Sequence, residues 1–386
     1  MKKYCEVVLV GAGASGLLCG SLLAKQGIQV TILEKNNRVG KKLSATGNGR
    51  CNFTNLHMDS DCFYGNQKWI KQVIHRVGPE EVIRLFENYG IWHRQKDGYV
   101  YPHTNQAATV VGLLSRACAE NGADFVENCL VKRIERTGEG QFLVHTTEGA
   151  IHCRYLVIAT GGKAGKEAGG DDSGYQLVNS LGHMVTPIYP GLTGLVCKGR
   201  FWPQVAGTRV QGNFSLEIDG ERITGESGEI QIVKNGVSGI PVFQLCRVAA
   251  KAMAQGRQVQ GVIDFIPTMK SKETAAWIRC YGMEGLLPRK WLPIAERAND
   301  PISFVRDFHF PVLDTFGIER AQVTAGGVPV QEVNPTTMES RICDSLFLLG
   351  EILDVDGKCG GYNLHLAWST AMIAAGEIAG RIKENQ

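Results

Sequence analysis

The apolar residues of this chain open in short unbroken runs that end on glycine or on an acid. Cys5-Glu6-Val7-Val8-Leu9-Val10 has the length and β-branched content of a buried strand. It runs straight into Gly11-Ala12-Gly13-Ala14-Ser15-Gly16, after which Leu17 to Gln26 reads as a helix stopped by Gly27. Ile28 to Leu33 is a second strand, ending at Glu34. Two more apolar runs follow: Tyr155 to Ala159 precedes Thr160-Gly161-Gly162, and Leu346 to Leu349 precedes Gly350-Glu351. An alanine-rich helix, Leu364 to Ile382, closes the chain. Strands of one nucleotide-type sheet thus lie near both ends, which predicts an α/β fold with a Rossmann-like domain split in sequence.

Between those ends the pattern changes. Arg209 to Gly220 alternates apolar and polar positions and closes on an Asp-Gly turn, a hairpin signature. Ile263-Asp264-Phe265-Ile266 reads as a strand stopped by Pro267, and 270–296 as short helices broken at Gly282, Gly285, Pro288 and Pro293. The expected division is 1–190 for the first part of the split domain, 191–335 for an inserted β-rich and helical substrate domain, and 336–386 for the second part.

Composition narrows the function classes. At 386 residues with 44% hydrophobic and 20% charged content, the chain is long enough for two or three domains and too apolar to be disordered. Its net charge of +3 (41 − 38) and the lack of a Lys/Arg stripe argue against nucleic acid or an anionic membrane as partner. No apolar run approaches the ~20 residues of a membrane helix, and the first run is too short for a signal peptide, so a cytoplasmic protein is expected. No two of the twelve cysteines stand closer than eleven apart, and the nine histidines lack ligand spacing. No metal is expected.

Glycine carries the chemistry. In Gly11-x-Gly13-x-x-Gly16, the first residue permits the tight turn, the second lets a pyrophosphate approach the backbone, and the third lets the helix lie on the strand. The helix start at Ala14 and Ser15 then faces the phosphates. Glu34, 23 residues after Gly11, accepts from both ribose hydroxyls and would repel a 2′-phosphate. This suits FAD or NAD. Gly40 to Asn55 favours FAD, because a long polar loop replaces the expected return through a helix and strand. It offers Lys42, Gly47, Asn48, Gly49, Arg50, Cys51 and Asn52 to phosphate or flavin oxygens. Ala159, Thr160, Gly161 and Gly162 form a third close-approach site, joined by Lys35 and Val131. The last group is Gly350, Glu351, Asp356, Gly360, Gly361, Tyr362, Asn363 and Leu364, with Asn363 expected to cap the final helix.

Together these stretches resemble the HI0933-like flavoprotein family, a branch of the two-dinucleotide-binding-domain FAD oxidoreductases. The resemblance spans nearly the whole chain and includes Gln322 to Val328 and Thr337 to Ser340. Gly122 to Phe125 and Cys129 to Ile134 resemble the strands that precede the Tyr155 to Ala159 run in two-dinucleotide-binding flavoproteins. It implies a split FAD-binding domain with a smaller insertion, and either NAD(P)H-linked reduction of unsaturated steroid-like substrates or amine oxidation. One departure is Ile232-Val233-Lys234-Asn235, where relatives tend to carry an aromatic-Thr-(His or Asp) stretch.

The expected activity is an FAD-dependent oxidoreductase. NADH or NADPH visits the flavin transiently, because no second Gly-x-Gly-x-x-Gly is present, and the hydride passes to an unsaturated small organic molecule. The alternatives are an amine oxidase using dioxygen, and a flavin-binding scaffold or tRNA-modifying relative. Arg50, Tyr101 and His103 are the candidate catalytic residues, since 99–104 sets aromatic and titratable groups beside a proline-fixed turn. Cys51 reads as structural rather than as a redox thiol.

Overall fold

The computed structural model describes residues 3–138 and 140–385. The chain divides into two compact units, one formed by 1–188 with 323–386 and the other by 189–322. The second stretch of the first unit therefore begins at Val323, not near 336. The reason is packing: Val328, Val330 and Val333 are buried in the same core as the strands at 4–10 and 149–158.

The first unit contains β1 (Tyr4–Val10), β2 (Val30–Leu33), β3 (Thr54–Asn55), β4 (Phe63–Tyr64), β5 (His93–Lys96), β6 (Tyr99–Pro102), β7 (Asp124–Val126), β8 (Val131–Arg136), β9 (Phe142–Thr146) and β10 (Gly149–Ile158). β7, β2, β1 and β10 pair in parallel, and β9 and β8 continue the sheet antiparallel from the first half of β10. Every residue of β2 is buried, as a parallel strand covered on both faces requires. Helix α1 (Ala14–Ala24) starts three residues earlier than its apolar pattern indicates and packs against the last helix, Tyr362–Glu384. A Cβ on Gly20 would stand 2.5 Å from Ile32 Cδ1, so a small residue there lets α1 lie close to β2.

The inserted unit holds β11 (Tyr189–Gly191), β12 (Leu195–Cys197), β13 (Arg209–Ile218), β14 (Glu221–Val233), β15 (Gly236–Ser238), β16 (Val259–Asp264) and β17 (Phe308–Thr315). Six of these close into a barrel in the order β12-β15-β14-β13-β16-β17. The Asp219-Gly220 turn joins β13 and β14 with φ of 51° and 83°, the left-handed pair a two-residue hairpin requires. The unit's core is aromatic: Trp202, Trp291, Phe214 and Phe310 are almost wholly buried.

The chain returns to the first unit with β18 (Val323–Ala325), β19 (Leu346–Leu348) and β20 (Asp356–Gly357). β19 pairs in parallel with the last three residues of β10. Leu33, Val10, Ile158 and Leu348 therefore stand in register, and four strands end along one edge. That edge is where an open α/β sheet binds ligands.

Candidate functional site

Beyond those strand ends lies a groove of about 650 Å³, its open mouth included. The turn Gly11, Ala12 and Gly13 forms one wall, and Glu34 with Lys35 and Asn36 forms the end after β2. Lys42, Val131, Ala159, Thr160 and Gly162 also line it. The three fingerprint glycines have different jobs. A Cβ on Gly11, whose φ is 103°, would fall 2.5 Å from Ala159 O, and one on Gly16 would fall 1.9 Å from Gly11 O. Those two are demanded by the protein's own backbone. A Cβ on Gly13 would meet nothing within 4 Å, so its missing side chain leaves open space for a ligand.

Glu34 is only 7% exposed and is held as an acceptor. The Ala12 N–H donates to its Oε2 at 2.9 Å, while the Asn36 N–H and Nδ2 donate to Oε1 at 2.8 and 2.6 Å. Lys35 pairs with Asp171. Lys42 is committed as well: its Nζ donates to both oxygens of Glu351, at 2.8 and 2.7 Å. Glu351 Oε1 also accepts from Thr324 N–H at 2.9 Å. Two residues expected to face a ligand separately are thus bound to each other, tying the segment after Gly40 to the end of β19. Gly350, φ 69°, brings that end against Ser15, whose Oγ would stand 3.0 Å from an added Cβ. Gly161, φ 72°, faces open space, whereas Gly162 sits under the Thr324 hydroxyl.

The expected loop at 40–55 is in part a helix. Helix α2 (Lys41–Gly49) begins after a left-handed Gly40 and breaks at Thr46, Gly47 and Asn48. Asn48, Gly49 and Cys51 follow with φ of 55°, 80° and 58°. Left-handed backbone at two non-glycine residues is a local cost that functional segments often carry. Cys51 is fully buried, and burial pushes its thiol up to about 12 despite the Thr46 hydroxyl. It stays a thiol, in keeping with a structural role.

Asn52 Oδ1 is buried with no hydrogen-bond donor among the described residues. It would stand 2.9 Å from a Cβ on Gly361, so Asn52 and the Gly360-Gly361 turn form one cradle, at φ of 139° and 94°. The final helix starts at Tyr362 with Gly361 as its N-cap, and no side chain caps it. Asn363 does not serve as the cap. Its side chain pairs instead with both polar groups of the Gly357 peptide, at 2.8 Å each. Tyr362 turns into the protein, donating to His57 O and packing edge-on against Phe63. Asp356 is buried on β20, and Leu364 is partly buried one turn into the helix.

Of the catalytic candidates, Arg50 stands near enough to Tyr101 for its charge to act on that hydroxyl. Burial raises the Tyr101 hydroxyl above its ordinary range, and the charges of Arg50 and Arg94 oppose that rise. Its hydroxyl makes no hydrogen bond among the described residues. His103 stands on the exposed turn after β6, its N–H donating to Trp92 O at 2.7 Å. Sequence reasoning missed Asn36, Cys129, Leu130, Ala168, Gly169, Gly170 and Ser173, which all line the groove. Gly169-Gly170 was the one available signal.

An adenine-dinucleotide cofactor fits these residues. The Gly13 gap, the buried Glu34 acceptor and the donorless Asn52 oxygen beside Gly361 are the cradle it requires. Among the described residues, no group of three or more His, Cys, Asp or Glu is placed to hold a metal ion. No helix among them is long and apolar enough to cross a membrane.

The family described as HI0933-like protein Rossmann domain matches residues 5–377. A 3-dehydro-bile acid Δ(4,6)-reductase of Clostridium scindens is 34% identical, over 97% of this chain and 99% of its own length. A ribosomal RNA dihydrouridine synthase of Haemophilus influenzae is 28% identical, over 98% of this chain and all of its own. Among solved structures, a 3-ketosteroid Δ4-(5α)-dehydrogenase from Rhodococcus jostii aligns with a TM-score of 0.55 at 14% identity, covering 98% of this chain and 97% of its own. A 3-ketosteroid Δ1-dehydrogenase from Sterolibacterium denitrificans aligns at 0.59 and 10%, covering 98% and 100%. These last two likenesses are of fold alone.

Proposed function

The chain belongs to the HI0933-like family, and from that premise we propose that it is an FAD-dependent oxidoreductase that saturates a carbon–carbon double bond conjugated to a carbonyl in a steroid-like small molecule. The observation that carries this reading is the 34% identity, end to end, with a relative whose name is that of a bile acid Δ(4,6)-reductase. The dihydrouridine synthase name describes the same chemistry on uracil, addition of two hydrogens across a double bond next to a carbonyl. The common denominator is therefore the bond reduced, and the balanced charge of +3 favours a small molecule over RNA.

Bound FAD would supply hydride chemistry for the conjugated system, with NADH or NADPH as the proposed source of reducing equivalents. The protein's part is binding, orientation and one proton. Gly13 and the α1 N-terminus would receive the diphosphate, and Glu34 would accept from the ribose. Asn52 and the Gly360-Gly361 turn would hold the ring end. Tyr101 would carry the proton for the α-carbon on a hydroxyl that makes no hydrogen bond among the described residues, and Arg50 would stabilise the charge left on it.

The test is anaerobic mixing of the yellow holoprotein with NADH or NADPH, then with a 3-oxo-4,6-diene steroid. Bleaching by a nicotinamide followed by colour return on adding the steroid is expected. Bleaching by an amine alone would move the reading to an oxidase. Colour return only with uridine-containing RNA would move it to the RNA-modifying class.

A further inference from the structure

The small sheet β3-β6-β5 has two unlike faces. In its antiparallel registers Arg94 stands opposite Tyr101, Lys96 opposite Tyr99, and Asn55 opposite Tyr99. Residues directly opposite share a face, so Arg94, Lys96, Tyr101, Tyr99 and Asn55 are presented together. Thr54, Val100 and Pro102 fall on the other face and are buried. The first face looks onto the Gly360 turn: Asn55 Nδ2 donates to Gly360 O at 2.9 Å, and Tyr99 Cε1 would stand 2.9 Å from a Cβ there. The bond from His103 N–H to Trp92 O extends the β5–β6 ladder by one pair. By that pairing Trp92, 65% exposed, falls on the Arg94 side at the edge of β5, with its ring centre 5.5 Å from that of His93.

Two guanidinium charges act on Tyr101. Arg94 Cζ lies 5.7 Å from the centre of the Tyr101 ring, and Arg50 acts on the same tyrosine from the segment after α2. Neither has a carboxylate partner among the described residues, whereas Arg133, Arg136, Arg154 and Arg381 of the same unit do. Other arginines of the unit also lack carboxylate partners among the described residues; what sets this pair apart is a tyrosine on which both charges act, an exposed indole nearby, and a place beside the ring-end cradle. A planar guanidinium is built to receive a carboxylate or phosphate through two parallel bonds. An indole offers flat apolar area to a rigid body.

We propose that Arg94, with Arg50 as the second cation, receives a negatively charged oxygen group that the substrate carries away from its reacting double bond. The substrate is then amphipathic: an apolar body along Trp92 and an anionic end at Arg94. The inference rests on the reading that an unsaturated carbonyl compound lies against Gly360, and it adds what the far end of that compound must be. A carboxylate on a small molecule and a phosphate in an RNA strand share this chemistry.

Calorimetry on the holoprotein separates them without turnover, using a saturated 24-carboxyl steroid and its methyl ester in one arm, and a uridine trinucleotide and uridine in the other. In one arm the charged probe should bind more tightly than the neutral one, and Arg94→Gln should weaken only the charged probe, by about tenfold or more. Arg94→Lys should recover part of that loss, since it keeps the charge but not the fork. The arm in which this occurs names the source of the anion. Equal binding by wild type and Arg94→Gln, equal loss for charged and neutral probes, or no binding by any probe would overturn the proposal. If the charge-selective loss is seen but no enone is ever reduced, the anion site stands and the proposed reaction falls.

Discussion

Glu34 and His365 are both buried titratable residues, and they are solved in opposite ways. Glu34 collects three N–H donors, from Ala12 and twice from Asn36, yet retains acceptor capacity on a groove-lining carboxylate. Glu34→Ala should weaken FAD binding by ~1–3 kcal/mol, the scale of losing hydrogen bonds to a charged acceptor. Titration of the apoprotein with FAD by fluorescence quenching would check it, and an unchanged affinity would remove Glu34 from the site. His365, on the final helix, is fully enclosed. Its Nε2–H donates to Val77 O at 3.0 Å, so its Nδ1 accepts from the Thr54 hydroxyl at 2.8 Å. Burial lowers its pKa to about 4, and only the neutral ring fits. Above the unfolded value near 6.5, both states are neutral and stability is intact. As pH falls from there to about 4, the unfolded chain takes the proton and the folded one refuses it. Stability should therefore decline across that window, by about 3 kcal/mol from this residue. Urea melts of wild type and His365→Gln between pH 7 and 4 should converge as pH drops; parallel curves would contradict the assignment.

At the scale of elements, the turn before the last helix makes the sharpest claim. Gly361 is left-handed at φ 94°, and a Cβ on it would lie 2.7 Å from Thr54 O and 2.9 Å from Asn52 Oδ1. No side chain caps the helix, so its first N–H groups and about half a positive charge face outward from Gly361. A reduced flavin carries negative charge on the pyrimidine side of its ring, so a helix end beside it stabilises the reduced state preferentially. Gly361→Val should lower the flavin midpoint potential or abolish FAD binding. An unchanged potential at full occupancy would mean the ring lies elsewhere. The β1–Gly11–α1 unit and the hairpin at Asp219-Gly220 were legible because their signals are local: a glycine spacing and a left-handed dipeptide. The cap was not, since Asn363 is a good N-cap type whose actual partner, Gly357, is set by the turn between β20 and the helix. Lys42 shows the same limit at longer range. A lysine in a polar segment reads as a ligand group until the fold places Glu351, 309 residues away, against it. Barrel closure depends on such distant pairings throughout, which is why only one of its hairpins could be named in advance.

For the whole molecule, the decisive feature is that two cores share no residue. One gathers the strands around β1 and β10 with the final helix, and the other the barrel's aromatic interior. Every residue assigned above to FAD belongs to the first unit. A ligand that binds only the folded state raises that state's stability by RT ln(1 + [L]/Kd), about 2.7 kcal/mol at a hundredfold excess over Kd. Separate cores allow separate unfolding steps, so calorimetry of the apoprotein should resolve two transitions rather than one. Added FAD should then raise the temperature of one transition and leave the other in place. To identify the unmoved transition as the barrel's, Trp291→Phe in the barrel core should lower that transition alone. A single transition that moves as a whole with FAD would mean that the two units unfold as one cooperative body.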